Sequence, residues 1–572
     1  MEKERKMKKT ARLVVAPAFA AVALVAAGVR ADATKFVASG WELSNRSLND
    51  LEAWAGELDK TCVDGVFAYL NEPQPDGTTL STHNIMSAPW RRDTLAALVP
   101  VARRLTAHRS MRESFIGTFR CASRARGRIE WTDDASWSLI ASNMANAAWF
   151  AREGGFKGIS MDPEDYNKHM QFYRRAGEAP YPELAKLARR RGRQVFEGVF
   201  KEFPDIKIFS FWFLSLEPKY MGSTNPARDM AECGDLWPAF ADGILDAMTP
   251  KARIIDGCEH SYRYESEKGD FWRVAQAIQL KLPLLVSPEN RRKYREAVGV
   301  SFGVYLDMYT NSEDKPWYFG PLNGSRLRRL DCNLSVAAEV ADEYVWFWGE
   351  KFCWAGWKEA ANGANPKVNQ NVTWEQQLPE LNDVLLAVKR PLDFAAQRSA
   401  KLKSAGLLNP LNANSECRSA NGAVPAPYEA WQEKKGRQGR LYGDSTDGDG
   451  DSFSLAAEGV EYGAFSFTPP YEVLPGERFL AMVSAKGDGI SAQISWKRAG
   501  KLDWCVLSPV QLRFGPADEN GWRKGRAVVR VPDTANGFKF SMIMRQKESE
   551  TCKFDNIRLV PITEHGASAD VL

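Results

Sequence analysis

The sequence predicts an α/β chain in which a (β/α)8 barrel is followed by an all-β sandwich of the jelly-roll type. Three observations carry this expectation. Between residues 35 and 400 short β-rich runs alternate with longer helical ones through eight units, the mark of parallel strands joined by right-handed helical crossovers. From Leu441 onward short β-like runs follow one another with turn residues between them and no helix, as in an antiparallel sandwich. Residues 401–436 between these regions are polar and rich in Asn, Ser, Gly and Pro, the composition of a linker.

Taken in order, the first strand is expected at Phe36–Glu42 with a helix over Ser47–Lys60, and the second at Val63–Leu70 with a helix over Arg92–Arg109. The third strand, Ser114–Cys121, leads into Ala135–Arg152. The fourth, Lys157–Met161, leads into the Arg-rich helix Tyr181–Phe203. The fifth is Lys207–Phe213 with Leu236–Met248, and the sixth is Arg253–Cys258 with helical material from Gly269 to Ala297. The seventh is Val300–Asp307 with Arg326–Glu343, and the eighth is Tyr344–Trp348 with Trp374–Arg390. No glycine fingerprint follows the first strand, which favours the closed barrel over an open doubly wound sheet. The sandwich strands are expected at 463–468, 477–484, 490–496, 504–512, 526–531, 538–544 and 554–560.

The N-terminus carries Lys3, Arg5, Lys6, Lys8, Lys9 and Arg12, then an uncharged stretch from Leu13 to Val29, then Ala31-Asp32-Ala33. A basic segment, an apolar segment and small residues at a cleavage site form the secretory pattern. The expected division is a signal peptide over 1–33, a barrel over 34–400, a linker over 401–436 and a sandwich over 437–572, in a secreted or periplasmic protein with no stable membrane span. A formal net charge of +4 over 572 residues, without a basic patch, argues against a nucleic-acid partner. Nine cysteines form no CxxC, and five histidines form no HExxH arrangement, so a zinc site is not expected, and carboxylate acid/base chemistry needs no metal or organic cofactor. Cys505 with Cys552 is the first pair to test for a disulfide. Nineteen Trp raise the expectation of a carbohydrate partner, because the apolar face of a sugar ring packs on indole. The sequence carries no signal of oligomeric state.

In a (β/α)8 barrel the chemistry sits at the C-terminal ends of the strands, and acidic residues fall there in this chain. They are Glu42 after strand 1, Glu72 after strand 2, Asp162 and Glu164 after strand 4, Asp256 and Glu259 at strand 6, Asp307 at strand 7 and Glu350 after strand 8. Asp162 and Glu164 in Met161-Asp162-Pro163-Glu164-Asp165 share one face if the strand continues, and two close carboxylates raise one pKa into the range of a proton donor. The competing reading is a solvated Asp-Pro-Glu-Asp turn. At strand 6, Asp256, Glu259 and Tyr262 follow one another. At strand 8, Glu350 stands among Trp346, Trp348, Trp354 and Trp357, a sugar platform with a hydrogen-bonding acid. Trp41 with Glu42, and Tyr69 with Glu72, repeat the theme; Trp212 on strand 5 is equally a core candidate. In the sandwich, Trp496, Trp504 and Trp522 are the candidate sugar-binding aromatics.

With these residues in view, the chain resembles the (β/α)8 glycoside hydrolases joined to a C-terminal carbohydrate-binding module. Phe554-Asp555-Asn556-Ile557-Arg558-Leu559 resembles the last strand of jelly-roll modules, and Tyr344–Lys351 resembles a stretch in exported bacterial glycosidase-like proteins. The resemblance implies hydrolysis of an O-glycosidic bond in a poly- or oligosaccharide by carboxylate acid/base or nucleophilic catalysis. Asp162-x-Glu164 is similar to chitinase-like barrels, where the Glu donates the proton and the Asp assists, although their fuller Asp-rich motif is absent. In alpha-galactosidase-like barrels a strand 4 Asp is the nucleophile and a strand 6 acid the donor, which would suit Asp162 with Asp256 or Glu259. The candidate catalytic set is therefore Asp162, Glu164, Asp256 and Glu259. The candidate substrate-binding set is Trp41, Glu42, Tyr69, Glu72, Trp212, Tyr262, Asp307, Trp346, Trp348, Glu350 and Trp354. A non-catalytic glycan-binding protein with a degenerate barrel is the main alternative, and an acid–base lyase or a hydrolase of another bond is a third.

Overall fold

A computed structural model describes residues 34–44, 46–120, 127–164, 171–215, 220, 222–357, 365–404, 422–450, 452–468, 473–498, 501–502 and 508–561. The expected signal segment, Cys121, Cys417, Trp504 and Cys505 lie outside these residues, and with Cys505 the disulfide expected with Cys552. Among the described residues no helix is long and apolar enough to cross a membrane.

Nine parallel strands form one sheet. In spatial order they are Phe302–Tyr305, Tyr344–Trp348, Lys35–Ala38, Gly65–Ala68, Phe115–Arg120, Gly158–Asp162, Lys207–Ser210, Arg253–Asp256 and Val298–Val300. The two end strands are neighbours in sequence, separated by Ser301 alone, so the sheet curls into a nearly closed barrel. The expected seventh strand thus starts earlier than its β-rich run and breaks in the middle. Its first half pairs with Arg253–Asp256 and its second half with Tyr344–Trp348. Ser301 sits at the change of partner, where its N–H donates to the Asp256 carbonyl.

Buried rings fill the barrel. Phe209 contacts Phe67 at 4.8 Å, Phe115 at 5.4 Å and Tyr344 at 5.9 Å between centroids, and Phe211 stacks on Trp346 at 4.5 Å. At the N-terminal end of the strands a polar layer closes the floor. Tyr344 Oη donates to Glu113 at 2.6 Å, and Lys35 and Lys207 each reach Glu343 at 2.6 Å. A filled interior and a tied floor leave the opposite end for ligands.

The helices lie close to their expected spans, with breaks at prolines that cannot donate to a helical ladder. The span Gly269–Ala297 divides into Asp270–Leu280, a 3-10 turn Leu282–Leu285 around Pro283, and Arg291–Ala297 beyond Pro288. Pro379 likewise separates Trp374–Gln377 from Leu381–Lys389. A short helix, Pro226–Cys233, was not evident from periodicity.

The C-terminal region holds two antiparallel sheets of six strands each. One contains Glu429–Gln432, Gly463–Phe467, Gly537–Met544, Ile490–Arg498, Lys501–Leu502 and Val510–Gln511. The other contains Arg440–Asp444, Ser454–Glu458, Thr551–Pro561, Arg478–Gly487, Trp522–Arg530 and Arg513–Ala517. Phe465, Phe467, Phe479, Trp496, Phe538, Phe540 and Phe554 are buried between them. Glu429–Gln432 falls inside the stretch of linker-like composition; its pairing with Gly463–Phe467 supplies the order that its composition does not.

Candidate active site

Two strand ends bring three carboxylates together. The fourth strand stops at Asp162, whose Oδ1 accepts the Glu164 N–H at 3.2 Å, so a tight turn around Pro163 aims Glu164 rather than a continuing strand. The sixth strand stops at Asp256, and Cys258 then adopts a left-handed conformation (φ 44°, ψ 61°) that opens the 3-10 turn Glu259–Arg263. The Glu259 N–H is tied to the Phe211 carbonyl at 3.0 Å. Burial, together with the negative charges of Asp162 and then Glu164, holds the Glu259 carboxyl well above the usual carboxylate range. Its Oε2 is buried without a hydrogen-bond partner among the described residues.

Tyr262, from the same turn, has a buried hydroxyl that lacks a hydrogen-bond partner among the described residues. Burial and then the Glu259 charge raise its pKa, with smaller contributions from Tyr69, Asp162 and Glu164. Ser261 fastens the turn by exchanging hydrogen bonds with Gly303, at 2.8 Å to its carbonyl and 2.7 Å from its N–H. A Cβ at position 303 would lie 2.6 Å from the Tyr262 ring and 2.9 Å from Trp346, so glycine is what lets both rings lie over the seventh strand. Tyr262 meets Tyr305 and Trp346, each at 5.4 Å, and Tyr305 meets Trp317 at 5.6 Å. Tyr69 approaches Ser39 Oγ at 3.4 Å. Trp212 is buried edge-on against Trp237, and its Nε1 has no partner among the described residues.

A second acidic group lies against Tyr305 of this aromatic wall. The Glu350 N–H donates to Asp307 Oδ2 at 2.8 Å, and Trp348 Nε1 donates to Glu350 Oε1 at 3.1 Å. Burial pushes the Asp307 carboxyl up to about 6, with the Glu350 charge adding to the rise. Asp307 Oδ1 is buried without a partner among the described residues. Trp348, Trp317 and Trp41 each keep part of their surface exposed. Sequence reasoning overlooked Trp317, which follows Pro316 in a polar loop with no period to mark it; Arg263 stacks on its ring at 3.9 Å.

No family model and no curated protein matches the chain. Among solved structures, the enzymatically active domain of tailspike protein 4 of bacteriophage CBA120 is 15% identical, with a TM-score of 0.21, over 27% of this chain and 22% of that one. The CBM22-2 xylan-binding domain of Paenibacillus barcinonensis Xyn10C is 14% identical, with a TM-score of 0.19, over 24% of this chain and 92% of that one. The CBM22-1–GH10 modules of Clostridium thermocellum Xyn10B, complexed with xylohexaose, are 12% identical, with a TM-score of 0.19, over 23% of this chain and 26% of that one.

Several acids and aromatics expected at the site hold the scaffold instead. Asp256 is fully buried, and its oxygens accept the N–H groups of Phe213, Leu214, Ser215 and Cys258 and the Ser215 hydroxyl. With every lone pair engaged, it clamps the loop after the fifth strand and has none left for a reacting group. Glu72 Oε1 accepts the Leu48 N–H at 2.6 Å and so anchors the helix Leu48–Leu58. Trp346 is fully buried and donates to the Gly257 carbonyl at 2.7 Å, a floor beneath the Glu259 turn rather than a sugar platform. Trp354 is buried edge-on to Phe347. In the sandwich, Trp496 and Trp522 are core residues, and among the described residues the exposed indole is Trp431, at 49%.

Glu42 is buried with both oxygens on the Trp354 N–H, at 2.9 and 3.1 Å, and burial pushes its carboxyl up to about 8. A carboxyl raised in the folded state favours folding fully below its unfolded pKa and loses that contribution as pH climbs through the raised value. Wild type should therefore lose stability between about pH 5 and about pH 8, by on the order of 5 kcal/mol if the whole shift is expressed. Glu42→Gln should flatten this decline. Denaturant titrations at both ends of the window test it, and an unchanged slope in the variant would refute the assignment.

Proposed function

We propose that this chain is an exported glycoside hydrolase whose barrel, over 34–400, is of the (β/α)8 type. Glu259 is its proton donor and Asp162 or Glu164 the ionised partner. The observation that carries the proposal is the Glu259 carboxyl, whose buried, unpartnered Oε2 lies in the field of two other carboxylates at the strand ends. Such a group holds its proton above the usual carboxylate range and has a lone position for a substrate oxygen. In the reaction, Glu259 gives its proton to the glycosidic oxygen as the bond from that oxygen to the anomeric carbon breaks. Either the ionised partner attacks that carbon, and water then cleaves the resulting ester while giving its proton to Glu259, or the partner takes a proton from a water that attacks directly, and that proton returns to Glu259 through solvent; in both cases water supplies the hydroxyl of the new reducing end. The Tyr262 hydroxyl and Asp307 Oδ1, both buried without partners among the described residues, are suited to sugar hydroxyls, and Trp348, Trp317 and Trp41 to ring faces. Reducing-end release from a panel of mixed-linkage β-glucan, galactomannan, arabinoxylan and chitin oligosaccharides tests this. Release from none of them, with binding to one, would make the chain a glycan-binding protein.

The sandwich is proposed to hold the polysaccharide on one sheet. Glu429, Ser466, Ser541, Gln493 and Gln511 stand in register across five strands, roughly 19 Å from end to end. Ser466 and Ser541 at the centre are buried, while Glu429, Gln511 and the neighbouring Trp431 are exposed. Small hydroxyl groups on the floor and an indole on the rim suit a neutral sugar chain. Trp431→Ala should weaken retention in affinity gels containing these soluble polysaccharides about tenfold, the loss of one stacking contact. Unchanged retention on every gel that retards the wild type would exclude this face.

A further inference from the structure

Arg478 and Arg530 stand directly opposite each other on adjacent sandwich strands. Like charges in that position destabilise a sheet unless something neutralises them. The neutralising groups come from the barrel helix Arg326–Val340. Arg478 pairs with the fully buried Asp331, and the charges of both arginines act on Asp331 and, two turns later, on Glu339. Around this charge clamp the surfaces fit closely. Cys332 Sγ donates to the Gly476 carbonyl at 3.1 Å, Asn323 Nδ2 donates to the Pro475 carbonyl at 2.7 Å, and Leu480 and Val560 pack on Leu386, Ala387 and Phe394.

Arg530 also continues toward the acidic mouth. Its Nη2 donates to Ser266 Oγ at 2.8 Å. Ser266 opens the 3-10 turn Ser266–Lys268, which follows the Glu259–Arg263 turn with only Tyr264 and Glu265 between them. From the barrel side, Asn333 Oδ1 accepts the Ser266 N–H at 2.9 Å, and Arg329 pairs with Glu265 and Glu267. The segment that carries Glu259 is therefore gripped from the barrel and from the sandwich at once.

We infer that the sandwich braces the acidic site, with Arg530 as a positioning residue that holds the Glu259 turn through Ser266. This rests on the reading of Glu259 as the working acid, but its test needs no substrate. Hydrogen exchange of the full chain should show at least tenfold faster exchange across residues 257–269 in Arg530→Ala, with the strand Lys207–Ser210 unchanged. Arg530→Lys, which keeps a donor for Ser266 Oγ, should restore much of the protection. Equal exchange of 257–269 in wild type and Arg530→Ala would overturn the inference. So would acceleration spread evenly over the barrel strands, or failure of the lysine variant to restore any protection. In parallel, a lower kcat with little change in KM is expected on any substrate the wild type cleaves. Absence of cleavage by the wild type would remove the hydrolase reading and leave the exchange result standing.

Discussion

Glu259→Gln is expected to lower kcat by about 10^2- to 10^4-fold, the usual contribution of a general acid, with the fold intact. The amide keeps the side chain's shape but has no proton acidic enough for a departing sugar oxygen. Its NH2 group would face Asp162 and Glu164 with favourable polarity, so the variant should be as stable as wild type or more so near neutral pH. The pH dependence has a definite sign. Burial and neighbouring negative charge raise the Glu259 carboxyl, so wild-type turnover should persist above the ordinary Glu range and fall as pH climbs through the raised value. The folded-state penalty on ionised Glu259 also makes wild-type stability fall over that window, and the variant should lack this decline. Leaving groups that need no proton supply the sharpest control. On a dinitrophenyl glycoside of the cleaved sugar, Glu259→Gln should recover most of the lost bond-breaking rate. Full activity of the variant on the natural linkage would remove Glu259 from the mechanism.

The second large effect is expected at the barrel–sandwich clamp. Arg478→Met should destabilise the full chain by about 3–5 kcal/mol, because it leaves Asp331 charged and buried without its partner. Replacing both partners, Arg478→Met with Asp331→Leu, should regain most of the loss, since two well-packed apolar groups leave no orphaned charge. Equilibrium denaturation of the three proteins measures both values. A single variant within about 1 kcal/mol of wild type would mean that the pair is screened by water and that the clamp contributes little.

Much of the architecture was legible because it rests on local pattern. The β-rich run and the charged helix alternate visibly, and Tyr344–Trp348 occupies the expected residues. The seventh strand was legible as an element but not as two halves, because the change of partner at Ser301 depends on strands distant in sequence. The site was less legible. Asp162, Glu164 and Glu259 could be named from their places at strand ends, yet so could Asp256, Glu72 and Glu42, and one-dimensional spacing treats all six alike.

What the sequence by itself determined is the order of elements, the two kinds of sheet, and the placing of carboxylates at the mouth, since these follow from periodicity and turn chemistry. Only the tertiary structure decided what each acid does. Asp256 is surrounded by main-chain N–H groups, most of them from the loop after the fifth strand, and Glu42 holds the Trp354 N–H from a distant segment, so both become anchors. Glu259 is buried beside two like charges with an oxygen left unmet among the described residues. The difference lies in which donors arrive from elsewhere in the chain, and that is a property of packing, not of spacing.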